Sequence, residues 1–200
     1  MTRAPLVLGV AGSPRRYGNS ERLLEAALSG AREAGAETRL VVAADMDLGP
    51  CQGCNACSLT GECVLRDGGA AWYAALDAAD GIVVASPVFF ATVPSVLKVL
   101  IDRLQPYWAR RYVLGKEMPR RRPGVILLVR SGGDAFGFSS AEATIRSAFN
   151  VLGIDVLGET RVEGADGPTD LGAASQPLEE AASLGRAVAE EAARRLAADR

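Results

Sequence analysis

The chain has 200 residues, 48% of them apolar, and a net charge of −2, enough for one domain with a substantial core. That balance excludes a general nucleic-acid binder and a disordered chain. There is no histidine, which excludes Ser-His-Asp and Cys-His catalysis, histidine-ligated metals and the commonest general base.

Met1-Thr2-Arg3-Ala4-Pro5 leads into a strand-like run, too short and wrongly flanked for a signal peptide. No apolar run reaches the length of a membrane span. The expected setting is the cytoplasm, where thiols stay reduced, with no membrane partner and no nucleic acid. Residues 5–10 are nearly continuously apolar, as a strand buried on both faces should be. After the loop 12–19, Ser20 reads as an N-cap, and Leu23, Leu24, Ala27 and Leu28 form the stripe of a helix that ends at Gly35. Residues 37–42 read as a second strand, followed by a long connection that holds every cysteine. A connection of that length without its own periodicity is usually functional.

Residues 70–79 predict a helix packed through Trp72 and Tyr73, and residues 82–85 a third strand. A loop over 86–94 ends in Pro94, which suits the first turn of a helix carrying Val96, Leu97, Leu100, Ile101 and Leu104. Residues 105–122 read as irregular. Arg110, Arg111, Lys116, Arg120, Arg121 and Arg122 make them a basic insertion, expected to be a solvated loop or subunit contact. Residues 124–129 predict a fourth strand, 130–134 a loop, 141–152 a helix and 154–162 a fifth strand. After Pro177, residues 178–196 form an amphipathic helix with Glu179, Glu180, Glu190, Glu191, Arg194 and Arg195 on its wet face.

Short buried strands alternating with helices predict an α/β three-layer sandwich around a five-stranded parallel sheet. The flavodoxin-like order 2-1-3-4-5 is preferred because the first loop lacks G-x-G-x-x-G and the strand count is five. The expected organisation is a single domain over 1–200 with a cysteine-rich loop at about 44–69. Ligands of such sheets sit beyond the carboxyl ends of the strands, where the loops after strands one, three and four should converge.

The first of these loops, residues 12–20, opens onto a helix N-terminus, a natural anion site. Ser13, Asn19 and Ser20 add neutral donors there, and Arg15 or Arg16 adds a forked cation suited to phosphate. A plain polar turn is the alternative. The missing Walker lysine argues against a nucleoside triphosphate. In the second loop, Pro87, Val88, Phe89, Phe90, Ala91 and Thr92 could line the face and edge of a planar ring, unless Phe89 and Phe90 are simply core. In the third, Ser131-Gly132-Gly133 permits close backbone approach to a ligand.

Cys51, Cys54 and Cys57 are spaced C-x₂-C-x₂-C, and Cys63 follows after five residues that include Gly61. Several thiolates converging on one volume suit a soft metal, and four typically hold an iron–sulfur cluster. Structural zinc prefers two separated C-x-x-C knuckles. Disulfides need an oxidising compartment. Unligated thiols are the third alternative.

The 12–20 loop, the four-cysteine run, and Ser86-Pro87-Val88-Phe89-Phe90 followed by Lys98 and Ile101-Asp102-Arg103 together resemble the iron–sulfur flavoprotein family. That family is a branch of the NADPH-dependent FMN reductase, flavodoxin-like superfamily. The resemblance runs from Leu6 to about Gly133, and the cysteine spacing is its most specific element. It implies an electron-transfer oxidoreductase with FMN and one [4Fe–4S] cluster, NAD(P)H or ferredoxin as electron donor, and a homodimer or homotetramer. By position, Ser13, Arg15, Asn19 and Ser20 would hold the FMN phosphate, with Tyr17 beside them. Pro87 to Thr92 and Ser131 to Gly133 would surround the isoalloxazine, and Cys51, Cys54, Cys57 and Cys63 would ligate the cluster. There are two departures. Many relatives have Asp-Asp-Met where this chain has Asp67-Gly68-Gly69, and Phe89 stands where relatives often have tyrosine. The competing readings are a cluster-free NAD(P)H-dependent FMN or quinone reductase and a zinc-stabilised non-enzymatic module.

Overall fold

The computed structural model describes residues 3–116, 120–133, 135–165, 167, 170–172 and 175–198. Met1, Thr2, residues 117–119 of the basic insertion, and Asp134 of the third loop lie outside the described residues. Five strands form one parallel sheet: β1 (Leu6–Ala11), β2 (Glu37–Val42), β3 (Gly81–Pro87), β4 (Arg122–Arg130) and β5 (Ile154–Glu163). Their order is β2-β1-β3-β4-β5, the flavodoxin-like arrangement expected from the alternation of elements. β1, β3 and β4 are apolar along nearly their whole length because both faces are covered.

Seven helices are described: α1 (Asn19–Glu33), α2 (Cys57–Thr60), α3 (Gly69–Ala78), α4 (Ser95–Asp102), α5 (Gln105–Tyr112), α6 (Ser139–Leu152) and α7 (Gln176–Ala198). One core layer packs α3, α4 and α6 on the sheet through Trp72, Leu76, Leu97, Leu100, Ile145 and Phe149. The other packs α1 and α7 through Leu23, Leu24, Leu28, Ala181 and Val188. α1 and α7 cross so closely that a Cβ at Gly185 would lie 1.8 Å from the Ala27 carbonyl oxygen. One at Gly30 would lie 2.0 Å from that of Ala182.

Several sequence expectations are corrected. The cap of α1 is Gly18; Ser20 is its buried second residue. The stretch read as irregular begins with α5, whose Pro106 sits in the first turn, where a proline starts a helix rather than breaking one. Leu104 belongs to the cap of α5, not to α4. Pro177 lies inside the first turn of α7 for the same reason. Within the basic insertion Arg121 and Lys116 are exposed, but Arg122 is not a solvated cation. Arg122 is buried and donates to the carbonyls of Leu76 (2.5 Å), Ala79 (3.1 Å) and Leu152 (3.3 Å), oxygens at the C-terminal ends of α3 and α6, where the i+4 helical donors run out. Arg195 is also not fully wet, since it pairs with Asp155 at 2.8 Å.

The Arg121 hydrogen bond, seconded by Arg195, pulls the Asp155 carboxyl down to about 2. A depressed carboxylate contributes stability that is complete above its unfolded value, near 3.9, and is lost as pH falls through the folded value. Asp155→Asn is expected to lower the unfolding free energy at pH 7, read from denaturant titrations, by under about 1 kcal/mol, since the pair is partly exposed. The difference from wild type should close between about pH 4 and pH 2; a constant gap across that range would contradict the assignment.

Candidate functional site

The loops after β1, β3 and β4 meet at the carboxyl edge of the sheet. Gly12 N donates to Ala85 O at 2.7 Å, and Val88 N donates to Val129 O at 2.8 Å. Gly12 has no room for a side chain: a Cβ would lie 2.5 Å from a Leu97 methyl. The first loop then turns into α1, whose first-turn amides have no partner within the helix. Ser13, Asn19 and Ser20 are all buried there. Ser13 Oγ accepts from Arg15 N at 3.0 Å.

Asn19 braces rather than faces outward. Its Nδ2 donates to Gly167 O at 2.7 Å, and its Oδ1 accepts from Leu171 N at 3.3 Å, tying the segment after β5 to the head of α1. The two arginines divide the work. Arg16 is held by Glu21 at 3.1 Å and Asp45 at 2.7 Å, and lies 5.2 Å from the Tyr17 ring centre. Arg15 is exposed and has no ion pair among the described residues, so it is the cation available to a phosphate.

The second loop is a two-residue hairpin. Phe89 N donates to Thr92 O at 2.8 Å, and Thr92 N to Phe89 O at 3.1 Å. Between them Phe90 and Ala91 both have positive φ, 47° and 65°. Such a turn favours Asn-Gly; side chains here cost about 1–2 kcal/mol each. The strain presents Phe90 fully exposed and Phe89 at 45%, so neither is core. With the half-buried Pro87 and Val88 they leave an apolar surface that a planar ring could cover, and Tyr17 of the first loop is exposed as well. Across it, Ser131 and Gly133 are exposed, and Gly132 and Gly133 take φ of 124° and 78°.

The cysteine loop lies between β2 and α3. All four cysteines are free thiols, and Cys54 is exposed. They line one cavity of about 340 Å³ together with Tyr73, Arg103 and Pro106. Burial pushes the Cys57 thiol up, and the Cys51, Cys63 and Cys54 thiols push it the same way. Four thiolates at one place repel each other, and only a cationic core lets them ionise together. Among the described residues, no group of three or more Cys, Asp or Glu side chains is close enough to hold a single metal ion. A tetrahedral zinc site would need sulfurs about 3.8 Å apart, from Zn–S bonds of about 2.3 Å.

A buried ion pair closes the base of this loop. Arg103, at the end of α4, is 1% exposed. Its Nη1 donates to Gly49 O at 2.8 Å and Asp67 Oδ2 at 2.6 Å; its Nη2 donates to Asp67 Oδ1 at 2.9 Å. Nη2 also stands 3.5 Å from Cys63 Sγ. Asp67 accepts further from Gly49 N at 3.1 Å and Gly69 N at 2.9 Å, so one carboxylate joins the residues on both sides of the cysteine run. The Arg103 bonds hold that carboxyl far below the usual range. A Cβ at Gly69 would fall 2.7 Å from Arg103 Nη2, so the ion pair leaves no room for a side chain there. Burial lifts the Tyr73 hydroxyl to about 12, and it donates to Arg103 O at 3.0 Å. From the far side, Arg110 Nε donates to Gly61 O at 2.7 Å and Lys116 Nζ to Thr60 O at 3.3 Å, capping α2. The sequence alone gives Arg103 and Asp67 no role, and it places Lys116 only in the basic insertion. A lone arginine closing an apolar helix was the available signal.

An open parallel sheet with a phosphate-type loop, a strained aromatic hairpin and a glycine turn at one edge is the architecture of a flavin-dependent oxidoreductase. Residues 5–165 match the family model described as NADPH-dependent FMN reductase. An iron–sulfur flavoprotein of Methanocaldococcus jannaschii is 34% identical over 196 residues, covering 92% of this chain and 95% of that protein. One of Methanosarcina thermophila is 35% identical over 156 residues, 76% of this chain and 77% of that protein. A solved flavone reductase superposes with a TM-score of 0.67 at 19% identity over 94% of this chain and 63% of that one, a likeness of fold alone. The chain belongs to the NADPH-dependent FMN reductase family, among the iron–sulfur flavoproteins. Its electron donor is accordingly of the nicotinamide class.

Proposed function

We propose that this chain binds FMN at the rim formed by residues 12–20, 87–92 and 131–133, and an iron–sulfur cluster at Cys51, Cys54, Cys57 and Cys63, and moves electrons between the two. The observation that carries this reading is the single cavity lined by all four thiols, closed at its base by Arg103 and Asp67. The amides and hydroxyls of Ser13 and Ser20, with Arg15, hold the phosphate; Asn19 keeps the head of α1 in place for it. Pro87 to Thr92 and Ser131 to Gly133 orient the ring and exclude water from its edges. When bound, a flavin supplies hydride and single-electron chemistry and a cluster supplies single-electron chemistry. That division needs no side-chain acid or base, in keeping with a chain that has no histidine. NAD(P)H is the donor at the flavin. The cations Arg110 and Lys116 beside the cysteine loop suit an acidic ferredoxin as the second carrier. A homodimer or homotetramer would bring one subunit's flavin near another's cluster, in a cytoplasm that keeps the thiols reduced.

The test is purification without oxygen, a visible spectrum, and assays of iron, sulfide, zinc and flavin. Brown protein with flavin, iron and sulfide is expected. Yellow protein without iron would leave a cluster-free FMN or quinone reductase. Colourless zinc-loaded protein would leave a binding module.

Arg15→Ala is expected to weaken FMN binding by roughly 10- to 100-fold, the range for a charge-assisted contact. Riboflavin binding should hardly change, because the lost contact is to phosphate. Equal losses in a titration of both ligands would place Arg15 elsewhere.

A further inference from the structure

Resting on the cluster reading above, we propose that Arg103 is a positioning and tuning residue for the cluster: through Nη2 it donates a charge-assisted hydrogen bond to Cys63 Sγ. Three observations carry this. A guanidinium that is 1% exposed lies 3.5 Å from a sulfur that lines the cysteine cavity. The same group fastens Gly49 and Asp67, the residues flanking the cysteine run, so the position of its Nη2 relative to Sγ is set by rigid partners on both sides. Its Nε is buried with no partner among the described residues. A buried arginine with an unmatched donor is poor design for stability alone. Its remaining donors are spent on one ion pair, one carbonyl and one sulfur.

A hydrogen bond to a ligand sulfur draws electron density from it, and a nearby cation favours the added negative charge. Both make a cluster easier to reduce. Arg103 is therefore expected to raise the cluster's potential, while Asp67, which offsets its charge, lowers it. R103K keeps the cation but cannot reach Gly49, Asp67 and Cys63 together, since the ammonium lacks the planar fork. D67N breaks the ion pair but leaves the donor at the sulfur.

The test is a redox titration of anaerobically purified wild type, R103K and D67N, with iron, sulfide and flavin assayed in each. R103K should retain flavin and be harder to reduce by a factor of ten in the equilibrium constant, about 59 mV for a one-electron couple. D67N should shift the other way. Iron lost from R103K but kept by D67N, with flavin in both, would also support the sulfur contact. Shifts of the same sign, no shift in R103K, or equal iron loss from both variants would reduce Arg103 to a brace and overturn the proposal. Wild type that binds flavin without iron or sulfide would instead overturn the cluster reading itself, and this inference with it.

Discussion

Cys54→Ser is expected to strip iron from the protein and leave its flavin in place. Soft iron centres are held by thiolates, and a serine hydroxyl stays protonated near neutral pH. Cys54 is the exposed member of the four, at the mouth of the cavity, so no packed shell would retain a centre with three ligands. The loop's anchors do not involve it: Gly49, Asp67 and Arg103 close the base, and Arg110 and Lys116 cap α2. The segments proposed to hold the flavin are other ones altogether, so Cys54→Ser should give iron and sulfide near zero with flavin content unchanged. Unchanged iron would contradict the ligand assignment. Loss of flavin in proportion to iron would show that the two sites fold as one unit.

The parallel sheet was legible because its signal is local. β1, β3 and β4 are buried on both faces and read as short apolar runs bounded by glycine, proline and polar loops. The cysteine spacing was legible for the same reason. What stayed hidden depends on partners far along the chain. Arg103 meets Asp67 from 36 residues away, and nothing in the local pattern at either position announces the other. Arg122 read as one more exposed cation in a basic run, although its guanidinium gathers the carbonyl ends of two helices. Asn19 reads in sequence as a neutral donor of the first loop, and nothing local announces its bonds to the segment after β5. α5 was missed because proline and paired arginines mask an apolar stripe of only Pro106, Tyr107 and Ala109. Phe89 and Phe90 were ambiguous between core and rim, since burial is a property of the fold and not of the dipeptide. The strained hairpin that exposes them is set by main-chain pairing.

Gly185→Ala is expected to lower stability by about 3 kcal/mol or more, against the direction that helix propensity alone predicts. In an ordinary helix interior this change adds about 0.5–1 kcal/mol of stability. Here the new methyl would lie 1.8 Å from the Ala27 carbonyl oxygen, inside any allowed contact. The obstacle is backbone, so no rotamer change relieves it. α7 must move off α1, loosening a layer packed through Leu24, Leu28, Ala181 and Val188. Overpacking a tight core costs about 1–3 kcal/mol even when side chains can yield. Adding Ala27→Gly should therefore not rescue the variant, because the clash is with the Ala27 carbonyl and not its side chain. Displacing α1 also moves its head, where Ser20 and the Asn19 brace meet the flavin loops. FMN affinity should fall at temperatures where the variant is still folded, while iron content, set in a loop between β2 and α3, should hold. Denaturant midpoints and flavin titrations check both claims, and a stability gain near the propensity value would show that the helices do not approach this closely.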